Sequence, residues 1–189
     1  MPSSHDKKTK ALYFVALVPS GDLYDKGWEL KNYMAEKYQT TAALKSPPHI
    51  TLHMPFKWRE DREKQLTNHL SSACNITAPF TLEVNGFGCF PPRVLFLDVN
   101  KPNELIQFRE DIVEIIRKKL KITDSGRKNT GFTPHLTIAF RDLRKKDFHK
   151  AWEELGAQEI KYTFPVNAFS LLKHDGTQWI VHEEFPLKK

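Results

Sequence analysis

The apolar positions of this chain recur with two different periods, and the switches between them mark out strands and helices. Residues 12–18, Leu-Tyr-Phe-Val-Ala-Leu-Val, form an aromatic and branched run that predicts a buried strand. Over 22–38 the period lengthens: Leu23, Gly27, Leu30, Met34 and Tyr38 fall close to one helical stripe. Pro48-His49-Ile50-Thr51-Leu52 predicts a second strand. Residues 59–74, with Leu66 and Leu70 four apart amid charged neighbours, predict a helix. Phe80-Thr81-Leu82-Glu83-Val84 alternates strictly, as a half-buried strand does.

The same order then begins again. A strand over 93–99 follows the turn residues Pro91-Pro92. Residues 104–120 give the strongest helix, with Leu105, Phe108, Ile112, Ile115, Ile116 and Leu120 as a wide apolar stripe. A basic loop, 121–132, leads into Pro134-His135-Leu136-Thr137-Ile138. A helix over 145–155 and strands over 162–164, 169–172 and 179–182 complete the chain, the last two joined by a His174-Asp175-Gly176-Thr177 turn. Each half reads strand, helix, Pro-His-x-Thr strand, helix, strand. This predicts a polar disordered tail over 1–10 and one domain over 11–189, built from two halves of about 11–90 and 91–189. The expected fold is α+β and bilobal. Each half would be an antiparallel sheet with helices on its outer face, and a pseudo-twofold axis would set the motif strands face to face across a central cleft.

Composition narrows the class. The chain has 189 residues, 40% of them hydrophobic, enough for one domain with a sizeable core. Its 29 basic and 23 acidic residues give a net charge of +6, which suits an anionic ligand, although a lysine-rich solvated surface gives the same balance. Two cysteines, Cys74 and Cys89, without a CxxC argue against a disulfide scaffold and a structural zinc site. No run approaches a membrane span, and no small-residue cleavage site follows the first apolar segment. A soluble, cytoplasmic protein is the expectation.

The repeated Pro-His-x-Thr carries the chemistry. In a strand, residues two apart share a face, so His49 with Thr51, and His135 with Thr137, would point one way and the aliphatic residues the other. Two imidazoles around one phosphodiester can act as base and acid, since histidine's ordinary pKa of ~6.5 makes both forms available. Two threonine hydroxyls can hold the non-bridging oxygens. That set needs no metal and no cofactor. One His-x-Thr strand is commonplace and usually structural; two in matched positions are much harder to obtain by chance. His53, four residues after His49, is expected at the cleft rim. Phe56, Trp58 and Phe140 could stack a base, and Arg93, Arg127 and Arg141 could hold phosphate, although each type also serves packing or solvation. Asp98 and Asp124 could orient an imidazole.

On His49-Ile50-Thr51-Leu52 and His135-Leu136-Thr137-Ile138 the chain resembles the two-histidine phosphoesterases, and among them the 2′-5′ RNA ligase and RNA 2′,3′-cyclic phosphodiesterase group. Residues 16–19 and 91–97 share in the resemblance. It implies catalytic histidines, phosphate-binding threonines, and hydrolysis or formation of a 2′-linked phosphoester. The expected partner is an RNA end or nucleotide with a 2′,3′-cyclic or 2′-5′ phosphodiester, with no membrane and no protein partner indicated. The expected reaction is metal-independent hydrolysis to a 2′-phosphate. The alternatives are 2′-5′ ligation and a non-catalytic RNA- or nucleotide-binding module.

Overall fold

Eight antiparallel strands hydrogen-bond into one sheet in the order β6-β3-β4-β5-β2-β1-β7-β8. The structure is a computed structural model and describes residues 9–122 and 131–188. In chain order these hold β1 (Lys10–Leu17), α1 (Asp22–Tyr38), β2 (Ile50–Arg59), α2 (Glu63–Ser71), β3 (Phe80–Phe90), β4 (Val94–Val99), α3 (Asn103–Leu120), β5 (His135–Ala139), α4 (Lys145–Leu155), β6 (Lys161–Val166), β7 (Ala168–His174) and β8 (Trp179–Pro186). The α+β class and the antiparallel pairing are as the sequence predicts.

Three details differ. The two motif strands are side by side in one continuous sheet, joined at Ile50–Leu136, rather than belonging to two sheets that face each other. The spatial halves also exchange strands relative to the sequence halves. β3 pairs with β4, and β7 pairs with β1, so β2-β1-β7-β8 stands against β5-β4-β3-β6. Finally, β2 does not stop at the motif but runs through Pro55 to Arg59. A proline is tolerated there because the β1–β2 register slips on both sides of the Val15–His53 pair, which leaves Pro55 outside the regular ladder.

The two faces of the sheet are filled differently. Tyr13, Val15 and Leu17 of β1 join Ile50, Leu52, Leu136 and Ile138 in the main core, which the helices cover. Phe14 and Ala16, pointing the other way, form a small separate cluster with Leu172, against which Val18 and Trp179 pack. The long helices cross over: α1 lies against β5, and α3 against β2. Gly27 permits the first crossing, since a Cβ there would sit 2.7 Å from Pro48 Cβ and 3.5 Å from Leu136 Cδ2. Both helices end on a residue in the left-handed region, Gln39 and Lys121, a further sign of repetition.

Candidate active site

The two histidines stand at the openings of neighbouring strands, His49 just before β2 and His135 at the first residue of β5. Each is oriented in the same way. His49 Nδ1 lies 2.7 Å from the carbonyl of Pro47, and His135 Nδ1 lies 2.7 Å from the carbonyl of Thr133. A carbonyl only accepts, so Nδ1 is the donor and carries the proton in the neutral ring. The lone pair is left on Nε2 in both. The residue between carbonyl and histidine is Pro48 or Pro134, which keeps the preceding residue extended. The proline of each motif thus helps fix an imidazole tautomer.

Register brings the four motif residues together. Ile50 pairs antiparallel with Leu136, and both are fully buried on the helix side. Extending that pairing by one residue sets His49 beside Thr137 and Thr51 beside His135 on the other face. Directly opposed residues on adjacent strands have Cβ atoms about 4.5–5.5 Å apart. Each histidine therefore neighbours the threonine of the other motif. All four are half-buried, and among the described residues no group engages either threonine hydroxyl.

Aromatic rings back both imidazoles. Phe14 of β1 lies 4.8 Å from the His49 ring, and Phe96 of β4 lies 4.8 Å from that of His135. Trp179 stands behind Phe14 at 4.7 Å, and Phe90 stands behind Phe96 at 4.6 Å while also touching His135 at 5.2 Å. These rings exclude water from the back of the site and disfavour the charged imidazolium. His49 is pushed down to about 4, by burial first and then by the Lys31 cation, with His135 adding a little; its bond to Pro47 only partly opposes this. His135 is also lowered, again by burial, but its bond to Thr133 and the Asp98 carboxylate work the other way. Asp98 faces His135 in the β4–β5 ladder. The two imidazoles are built alike and charged unequally, with His135 the easier to protonate.

The remaining sequence candidates separate from the quartet. His53 is not at the rim: the first register slip turns it to the helix side, where it is 4% exposed and its Nδ1 lies 2.8 Å from the Met54 carbonyl. The second slip turns Phe56 the same way, into the core against the Tyr13 ring at 6.2 Å. Trp58 packs at the core edge and donates Nε1–H to the Arg62 carbonyl at 2.8 Å. Arg93, Phe140 and Arg141 do meet, though at the far end of β5. Arg93 Nη1 donates to the Arg141 carbonyl at 3.0 Å, and the Arg141 guanidinium covers Phe140 at 5.0 Å. Strand rise puts Phe140 roughly 16 Å from His135 along the chain. Arg127 and Asp124 lie outside the described residues. Among the described residues no three His, Cys, Asp or Glu side chains form a group that could hold a metal, and no helix is long and apolar enough to cross a membrane.

Sequence reasoning did not single out Phe14, Phe96, Phe90, Trp179 or Lys31. Strand parity carried the signal for Phe14, which alternates with the core residues Tyr13 and Val15. Lys31 falls on the apolar stripe of α1, four residues after Gly27 and three before Met34, where a charge is out of place.

Comparison with known proteins gives the family. The family model described as the 2′-5′ RNA ligase superfamily matches residues 25–178, most of the chain and both histidine motifs. The chain belongs to that superfamily. Among curated relatives of this 2′-5′ RNA ligase superfamily member, a Bacillus mycoides protein is 32% identical over 179 residues, covering 93% of this chain and 96% of its own. Its name assigns it phosphoesterase activity by inference only. A similarly named Bacillus thuringiensis protein is 31% identical over 183 residues, with the same coverage. The fold matches Escherichia coli LigT, crystallised with 3′-AMP, with a TM-score of 0.68 at 19% identity over 96% of this chain and all of LigT. Thermus thermophilus TT0787 matches with a TM-score of 0.63 at 18% identity over 93% of this chain and 97% of that one.

Proposed function

We propose that this superfamily member hydrolyses 2′,3′-cyclic phosphate ends of RNA or nucleotides to 2′-phosphates, with His49, Thr51, His135 and Thr137 as the working residues. The observation that carries the reading is the quartet itself: two imidazoles with Nε2 left as the acceptor, each beside a threonine hydroxyl that nothing else among the described residues engages. Crystals of LigT with 3′-AMP, ATP and NADP+ support a nucleotide as the ligand class.

The charge asymmetry supports a division of roles. His49 rests neutral, so its Nε2 takes a proton from a water as the water oxygen bonds to phosphorus. His135 is the easier to protonate, and its Nε2–H gives a proton to O3′ as the P–O3′ bond breaks. The product is a 2′-phosphate with a free 3′-hydroxyl. Thr51 and Thr137 donate to the non-bridging oxygens, whose charge grows in the pentacoordinate transition state. The Nδ1–H bonds to Pro47 and Thr133 persist in both protonation states, so neither ring needs to turn during the reaction.

The test is incubation with a panel of 2′,3′-cyclic nucleotides and cyclic-ended oligonucleotides in chelator, followed by ³¹P NMR of the product. A 2′-phosphate is expected. His49→Ala or His135→Ala should each lower kcat on the order of 10²–10⁴-fold while leaving circular dichroism unchanged. Turnover that survives either substitution undiminished would overturn the two-histidine reading, and turnover abolished by chelator would overturn the metal-free route.

A further inference from the structure

Lys31 is an unusual residue to find in the core. It lies on the buried face of α1 with 1% of its surface exposed. Its ammonium donates to the Ser46 carbonyl at 2.8 Å and sits 5.2 Å from the centre of the Trp28 ring. Among the described residues no carboxylate pairs with it. Burying an ammonium with one carbonyl and one ring for company is costly, and methionine or leucine would fill the stripe without that cost.

Its position relates it to the site. Ser46 and Pro47 are consecutive, and the Lys31 ammonium holds the carbonyl of the first while His49 Nδ1 holds the carbonyl of the second. Lys31 and His49 thus grip one short turn, with the positive end of Lys31 close enough to act on the imidazole. Around His49, β1 presents the uncharged ring of Phe14, and β8 presents Trp179 behind it. The titratable groups that act on His49 are Lys31 from α1 and His135 from β5. Among the described residues the second motif has no such cation, and Asp98 stands in the neighbouring ladder position instead.

We propose that Lys31 is a positioning residue whose buried cation adds to burial in holding His49 unprotonated as the pH falls, so that the two like-built imidazoles take up different roles. The inference rests on the two-histidine reading for its consequence, but not for the electrostatic effect itself. Burial brings the Lys31 ammonium down to about 7, so it is charged at any pH below that. This range covers most of the interval in which an ordinary imidazole would accept a proton. Above it Lys31 loses its charge, but there His49 is neutral unaided. Lys31 is fully buried and so acts on the site through His49 rather than on substrate.

The test compares the wild type with Lys31→Met and Lys31→Arg. Imidazole-labelled protein is titrated by NMR, with His49 assigned from the His49→Ala spectrum, and kcat/KM is measured against pH on a 2′,3′-cyclic nucleotide. In Lys31→Met the His49 midpoint should rise by about one pH unit, with His135 moving far less. The acid limb of the rate profile should move up with it, giving a several-fold loss near pH 4 that shrinks to about twofold near pH 5 and vanishes toward pH 8. Lys31→Arg retains a cation and should restore both. If the His49 midpoint stays put in a folded Lys31→Met protein, or if arginine fails to restore it, the inference is overturned and the lysine only braces the 46–47 turn. The NMR arm reads Lys31 even if no cyclic nucleotide is turned over, a result that would count against the proposed function alone.

Discussion

Each imidazole here is held by a carbonyl on one side and a phenylalanine on the other, and the second support is where a single atom matters most. The Phe96 ring reaches His135 by lying across Gly88 of the neighbouring strand. A Cβ at Gly88 would be 2.2 Å from Phe96 Cε2 and 2.6 Å from Cζ, so the ring must move. Phe96 is itself wedged between Phe90 and His135, which leaves the histidine side as one direction of escape. Gly88→Ala should lower kcat on the order of 10–10²-fold, the scale on which small displacements of catalytic groups act. The His135 imidazole resonances should shift while those of His49 stay in place; equal shifts at both would refute this route. The motif histidines and threonines were legible in sequence because alternation and repetition both pointed to them. Gly88 and Phe96 were not, since cross-strand partners depend on a β3–β4 register that no local pattern encodes.

At the level of elements, order was legible and partnership was not. Strand and helix periods located the elements well, but nothing local says that β3 joins β4 or that β7 joins β1. The β2 strand shows the same limit on a smaller scale: the first register slip takes His53 from the open face to the core side, and the second restores the original parity, so that Phe56 joins Ile50 and Leu52 in the core. Helix crossing is equally non-local. The α1 helix rests on Pro48, the residue that sets up His49, and also reaches Leu136 of the other motif strand. Gly27→Ala tests that contact. Alanine gains about 1 kcal/mol of helix propensity over glycine. Its Cβ would nonetheless meet the rigid Pro48 ring at 2.7–2.8 Å, and overpacking of this kind costs about 1–3 kcal/mol. The steric effect should win, with a lower Tm by calorimetry and a reduced kcat as the turn before His49 is displaced. A raised Tm would show that α1 can slide away from the motif freely.

In the whole molecule, the proposed two-half site works only if the halves keep their relative position, yet the ladder between the motif strands is a single residue pair, Ile50–Leu136. Asp142 supplies a second tie. It follows β5, and its carboxylate accepts from Thr40 Oγ1 at 2.5 Å and from the amides of Thr41 and Ala42 at 2.8 and 3.0 Å, in the segment after α1. The tie therefore joins the approach to the first motif to the exit from the second. Burial alone would raise the Asp142 pKa, but these hydrogen bonds outweigh it and hold the carboxyl below its ordinary range. A carboxyl depressed by folding stabilises the native state fully above its unfolded pKa of ~3.9, and that contribution is lost as pH falls through the lower folded value. The wild-type Tm should thus drop as the pH is taken below about 4. Asp142→Asn, which keeps the shape but not the charge, should start a few degrees lower at pH 7 and show a shallower decline in acid. The carboxylate is exposed, so solvent screening keeps the effect small. Activity discriminates between a local and a spanning role: a loosened junction should lower kcat with the His49 and His135 midpoints unchanged. A variant that loses Tm but retains full kcat would make Asp142 a local cap and leave the single Ile50–Leu136 pair, with the crossed helices, as what aligns the site.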